Sequence, residues 1–118
     1  MNADQLGEIC LSLPAATVNV QWDDDRVYKI GGKMFACSGL DTGSLYSFKV
    51  DEHRFLELTD LPSVRPAPYL ARAKWVQVDP SECALDDDEL EDLVRHSYEL
   101  VLGKLTKKLQ RELLPDQP

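Results

Sequence analysis

Leu6, Ile9, Cys10 and Leu13 recur at the i, i+3, i+4, i+7 spacing of a single helix face. Asn2 followed three residues later by Gln5 supplies a capping box for that helix, and Pro14 ends it. The period then changes. In residues 17–22, Val18, Val20 and Trp22 point one way and Asn19 and Gln21 the other, which is the alternation of a strand. Asp23, Asp24 and Asp25 read as a solvated turn. Residues 26–30 and 33–38 are two further strand-like runs joined by Gly31-Gly32, both able to take the positive φ that a two-residue hairpin demands. A second turn from Gly39 to Gly43 leads into residues 44–50, with Tyr46, Phe48 and Val50 on one face.

Helical spacing returns in residues 51–61, where Asp51 is placed to cap and Phe55 and Leu58 to face inward. Pro62, Pro66 and Pro68 follow. Each lacks an amide donor and restricts its predecessor, so this stretch is expected to be irregular. Residues 73–78 read as a fifth strand. Asp86, Asp87, Asp88 and Glu89 then put acids at a helix start, ahead of an apolar stripe through Leu90, Val94, Tyr98, Val101, Leu102 and Leu105. Gly103 interrupts this helix, and Thr106 is placed to cap a last one carrying Leu109 and Leu113. The expected order is α-β-β-β-β-α-β-α-α. That is an α+β domain of two layers, a mostly antiparallel five-stranded sheet with helices packed on one face. The 118 residues fit one domain, which can bury enough surface to need neither disulfide nor metal.

Charge changes this picture only locally. The formal net charge is −8, which disfavours indiscriminate phosphate binding. Residues 26–74 nevertheless sum to +3, while 75–103 sum to −8. Cys10, Cys37 and Cys83 are odd in number, lack a CxxC spacing and have apolar flanks, as reduced thiols of a cytoplasmic protein do. The first 25 residues hold neither a basic start nor a sustained apolar run, so no leader or membrane span is expected.

Little supports catalysis. His53 and His96 both fall on expected helix surfaces, no GxSxG turn occurs, and no acid pair stands out, so no catalytic residue is assigned. The Asp23–Asp25 cluster lacks the Gly and Glu of a calcium loop, and Asp86–Glu89 is accounted for by the helix terminus. No metal or cofactor is expected. What stands out is residues 63–78, sixteen residues without an acid that carry Arg65, Tyr69, Arg72, Lys74 and Trp75. With Lys33 and Lys49 on neighbouring strands, Arg65, Arg72, Lys74 and Tyr69 form a candidate anion or nucleic-acid site. Cations release counterions from phosphates and an aromatic ring can stack on bases. A clamp of Lys49 and Arg65 on a small carboxylate or phosphate is the other use of the same groups.

The order Leu13-Pro14, Gly32-Lys33-Met34-Phe35-Ala36, a strand ending in Lys49, Arg65-Pro66 with Tyr69-Leu70 before Trp75, and Ser97-Tyr98 before Lys104-Leu105 resembles the MmcQ/YjbR family of small bacterial proteins. The resemblance spans nearly the whole chain. It implies a CyaY-like or secretion-chaperone-like α+β fold and a non-enzymatic DNA-binding role, with DNA as a weak, salt-sensitive partner of a monomer. A protein-interaction module is the alternative that the chaperone-like fold suggests. Two departures stand out. Ala15, Ala16 and Thr17 occupy a stretch where the family often has an acid, and Thr106 stands where it often has Pro.

Overall fold

The computed structural model describes residues 1–21 and 24–115; the expected placement of Trp22 in the first strand and Asp23 in its turn lies outside them. Helix α1 (Ala3–Ser12) starts on the Asn2–Gln5 capping box, with both reciprocal bonds at 2.8 Å. Strands β1 (Thr17–Gln21), β2 (Asp25–Ile30), β3 (Lys33–Gly39) and β4 (Tyr46–Lys49) follow, then α2 (Glu52–Leu58), β5 (Val64–Pro66) and β6 (Trp75–Val78). Helices α3 (Asp87–Leu102) and α4 (Lys107–Leu113) follow. All neighbouring strands are antiparallel, in the order β1-β2-β3-β4-β6-β5.

This is the expected α+β architecture with a sixth strand added, in the proline-rich stretch read as irregular. β5 is an edge strand, paired among the described residues only to β6. Ala67 donates its amide to the Trp75 carbonyl at 3.0 Å, so the donor that Pro66 lacks falls on the outer side, where the ladder has no partner to lose. The hairpin at Gly31-Gly32 is as expected, with φ of 59° and 78°.

One face of the sheet carries the core. Directly paired residues share a face, so Tyr28, Ala36, Phe48 and Val76 form one buried row and Tyr46, Val78 and Val64 the next. Leu6 and Cys10 of α1 and Leu90, Val94, Tyr98 and Val101 of α3 cover them. The ladder between β2 and β3 shifts register after Tyr28, leaving Phe35 as the extra residue of a bulge. The bulge sends Phe35 to the same buried side as Ala36, where the Tyr98 ring meets it edge-on at 5.4 Å.

Ser97 of α3 is wholly buried and closes the defect that the bulge leaves. The β3–β4 ladder runs from Ser38–Tyr46 to Ala36–Phe48, and the next rung would pair Phe35 with Lys49. Instead, the Ser97 hydroxyl donates to the Phe35 carbonyl at 2.6 Å and accepts from the Lys49 amide at 2.9 Å. The Tyr98 hydroxyl adds a second tie, donating to the Pro14 carbonyl at 2.6 Å.

Replacing Ser97 by Ala leaves a buried carbonyl and a buried amide without their partner. A stability loss of about 1–3 kcal/mol is expected. It should be read in urea as a lower midpoint at unchanged slope.

Candidate nucleic-acid interface

Antiparallel pairing brings the ends of β2 and β4 to the same edge of the sheet as the starts of β3 and β6. Lys29, Lys33, Lys49 and Lys74 therefore gather at one end, although they are scattered over 46 positions of sequence. Helix α3 runs towards the same end, because Ser97 is tied to the Lys49 amide, and the turn after it supplies Lys104. The opposite end holds Asp25, Asp79 and the acidic start of α3, which is pinned there through Met1 to Tyr46 and Asp87. Lysines thus gather at one end of the strands and carboxylates at the other, where Arg26 is paired with Asp4.

Three of the lysines form a cluster. The Lys49 ammonium donates to the Ala73 carbonyl. Burial, then the neighbouring Lys104, then Lys74 hold its pKa below the ordinary lysine value. The Lys74 ammonium lies 5.1 Å from the centre of the Phe55 ring, a cation–π contact that holds it in place without neutralising it. Among the described residues, none of the three has a carboxylate in ion-pair range. Like charges held together in this way favour an anion between them.

The segment from Ala67 to Lys74 leaves the sheet edge and returns to it as β6. Leu70 donates to the Ala67 carbonyl at 3.1 Å, closing a turn with Pro68 at its second position and Tyr69 at its third. Tyr69 has φ of 65°, so it occupies the place that a type II turn ordinarily gives to glycine. Its ring is fully exposed at 104%. A 3-10 turn (Ala71–Ala73) carries Arg72, and Lys74 closes it with φ of 63°. A left-handed conformation costs a residue with a side chain roughly 1–2 kcal/mol, and this one segment holds two such residues. Between the turn and the open face of the sheet lies a cleft of about 440 Å³ walled by Met34, Cys37, Leu70 and Gln77, with Asp25 at its acidic side, within the size range of small-ligand sites.

The residues singled out in sequence thus separate. Lys49 and Lys74 lie together, Tyr69 and Arg72 belong to the same excursion, and Lys33 lies at the same end on the β2–β3 hairpin. Arg65 stands apart on the edge strand, its Nε donating to Gln77 at 2.7 Å. Lys104 was not among them. Its sequence neighbours Lys107 and Lys108 read as part of the last helix, and only the docking of α3 through Ser97 carries it to Lys49. His96 bridges elements, lying 3.3 Å from the Asp51 carboxylate and 3.7 Å from that of Glu99. The Cys37 thiol is pushed up to about 11, by burial and then by the charge of Asp25, and burial pushes Cys10 up as well. Neither has the thiolate character of a nucleophile at neutral pH. Among the described residues no three His, Cys, Asp or Glu side chains gather to hold a metal ion, and no helix is long and apolar enough to cross a membrane.

Comparison with known proteins matches residues 11–100 to the YjbR family model. The uncharacterized protein YbdF of Escherichia coli O157:H7 is 32% identical over 91 residues, which cover 75% of this chain and 74% of that protein. Among solved structures, Deinococcus radiodurans protein DR2400, described by the domain DUF419, superposes with a TM-score of 0.83 at 31% identity, over 93% of this chain and 86% of that one. A Pseudomonas syringae protein shares the fold with a TM-score of 0.71 at 19% identity, over 86% of this chain and 99% of its own.

Lys49 should titrate below the ordinary lysine value of 10.5, and the K104A variant should move it upward, as followed by NMR of the lysine side chains. The linkage has a definite sign. The Lys49 charge opposes folding below its folded pKa, and that penalty is relieved as pH rises from there towards the unfolded value.

Proposed function

Because the chain belongs to the YjbR family, we propose that it is a non-enzymatic DNA-binding module that grips single-stranded DNA at the basic end of its sheet. Lys49, Lys74 and Lys104 contact phosphates, with Arg72 and Lys33 flanking them. Tyr69 stacks on an exposed base, and the cleft behind it receives the edge of that base. The observation that carries this reading is the segment 67–74. It holds Tyr69 and Lys74 in left-handed conformations that display a bare ring and an unneutralised ammonium beside Lys49 and Lys104. Strain of this kind persists where the surrounding fold enforces it, and it clusters at binding sites.

An exposed ring favours unpaired bases, since every base offers a face for stacking and a duplex hides it. The acidic far end repels a polyanion and so orients the strand across the lysines. It also keeps affinity modest and strongly dependent on salt.

Fluorescence anisotropy with short single-stranded and duplex DNA at about 50 mM and about 200 mM salt tests the proposal. Saturable binding to the single strand that weakens steeply with salt is expected. Neutralising Lys49, Lys74 and Lys104 together should flatten the log–log salt slope by about 2. Y69G should cost about 1–3 kcal/mol of binding, while leaving the turn as stable as before or more so. Absence of binding at low salt removes the DNA assignment, and a Y69G affinity equal to wild type removes the stacking contact.

A further inference from the structure

The other end of the sheet holds a second, chemically different site. The Ser63 side chain is buried at 6% exposure, and its hydroxyl has no hydrogen-bond partner among the described residues. A buried hydroxyl opposes folding unless a water or a ligand entering from the cleft pairs with it. Ser63 lines a cleft of about 210 Å³ between the edge strand β5 and the loop that follows β6. Arg65 and Gln77, with Asp79 and Glu82 of the loop after β6, supply its polar lining, and Leu45 and Pro62 add apolar surface.

The polar groups of this cleft are oriented. Arg65 gives only its Nε to Gln77, at 2.7 Å, so the terminal amino groups of the guanidinium keep their donors for a ligand. Asp79 is held by Ser81, whose amide and hydroxyl both donate to Oδ1, at 3.0 and 2.7 Å, which leaves Oδ2 free. The Asp79 amide donates to the Ser63 carbonyl at 2.9 Å and ties the loop after β6 to the residue before β5. Arg65 makes no ion pair within range among the described residues, although the charge of Asp79 lies near enough to feel it.

We propose that this cleft binds a small zwitterion, an α-amino acid. The Arg65 guanidinium and the Ser63 hydroxyl take its carboxylate, the Asp79 and Glu82 carboxylates take its ammonium, and Leu45 meets its side chain. An isolated carboxylate meets two negative groups in the cleft and an isolated amine meets a guanidinium, so each is rejected by the groups that take the other half. The cleft holds roughly seven waters' share of liquid volume, which suits a single small amino acid. This site lies away from the lysine cluster, although Gln77 lines both this cleft and the one behind Tyr69.

The test is a titration of ¹⁵N-labelled protein with L-alanine and with L-leucine, set against propionate and propylamine. The readouts are the amides of Ser63, Gln77 and Asp79 and the Arg65 Nε signal. Saturable shifts with the amino acids at millimolar concentration, and at least tenfold weaker binding of the two half-ligands, are expected. S63A should bind at least tenfold more weakly while its melting temperature is unchanged or higher, since it removes a buried hydroxyl that pairs with no described protein group. R65Q should also lose binding, and the variant lacking Lys49, Lys74 and Lys104 should keep it. No saturable shift at these groups, half-ligand binding as tight as that of the amino acids, or S63A affinity equal to wild type would overturn the assignment.

Discussion

A single buried hydroxyl sets the frame of this protein. Where the β3–β4 ladder would place its next rung, Ser97 of α3 stands between the Phe35 carbonyl and the Lys49 amide. The bulge at Phe35 turns an extra aromatic side chain into the core, and it does so at the cost of a rung. The serine restores both hydrogen bonds and, because it belongs to α3, fixes where that helix lies and how far it reaches. Apolar packing alone would hold α3 against the sheet. The Ser97 bridge, with the Tyr98 bond to Pro14, makes its position along the sheet specific.

The position of α3 in turn decides the electrostatics. A helix registered in this way starts at the acidic end of the sheet and stops at the lysine end. Its first turn, rich in Asp and Glu, and the lysine beyond its last turn both agree with the helix dipole. An acidic chain thereby carries a concentrated positive end without altering its net charge. The same tie holds the Lys49 backbone, so the lysine whose charge is most disfavoured sits on the most firmly anchored part of the site.

The edge of the sheet supplies what the core does not. β5 is short and rich in proline, and the chain between it and β6 is free to leave the plane of the sheet. That excursion stores its strain in Tyr69 and Lys74, while the Ser63 hydroxyl just before β5 has no hydrogen-bond partner among the described residues. Both features lie within a dozen residues around one edge strand. A well-packed core on the opposite face is what allows that edge to be built for contacts rather than for stability.

Much of this was legible in the chain itself. The caps at Asn2, Asp51 and Thr106, the acidic helix start at Asp86, the Gly31-Gly32 hairpin and the buried face of Tyr46, Phe48 and Val50 all follow from local rules, because capping, turn chemistry and periodicity act between residues close in sequence. Lys74 and Tyr69 stood out by residue type in an acid-free stretch, and Lys49 as a cation on a neighbouring strand. β5 did not, since proline excludes a residue from a sheet only where its missing donor would be needed, and edge position is a property of the sheet. Nor did the bulge, the bridging role of Ser97, the arrival of Lys104 beside Lys49, or the separation of Arg65 from the lysines into a cleft with Ser63 and Asp79. Each of these depends on which strand end meets which helix end. That is decided by long-range packing and hydrogen bonding between segments tens of residues apart, to which no local pattern is sensitive.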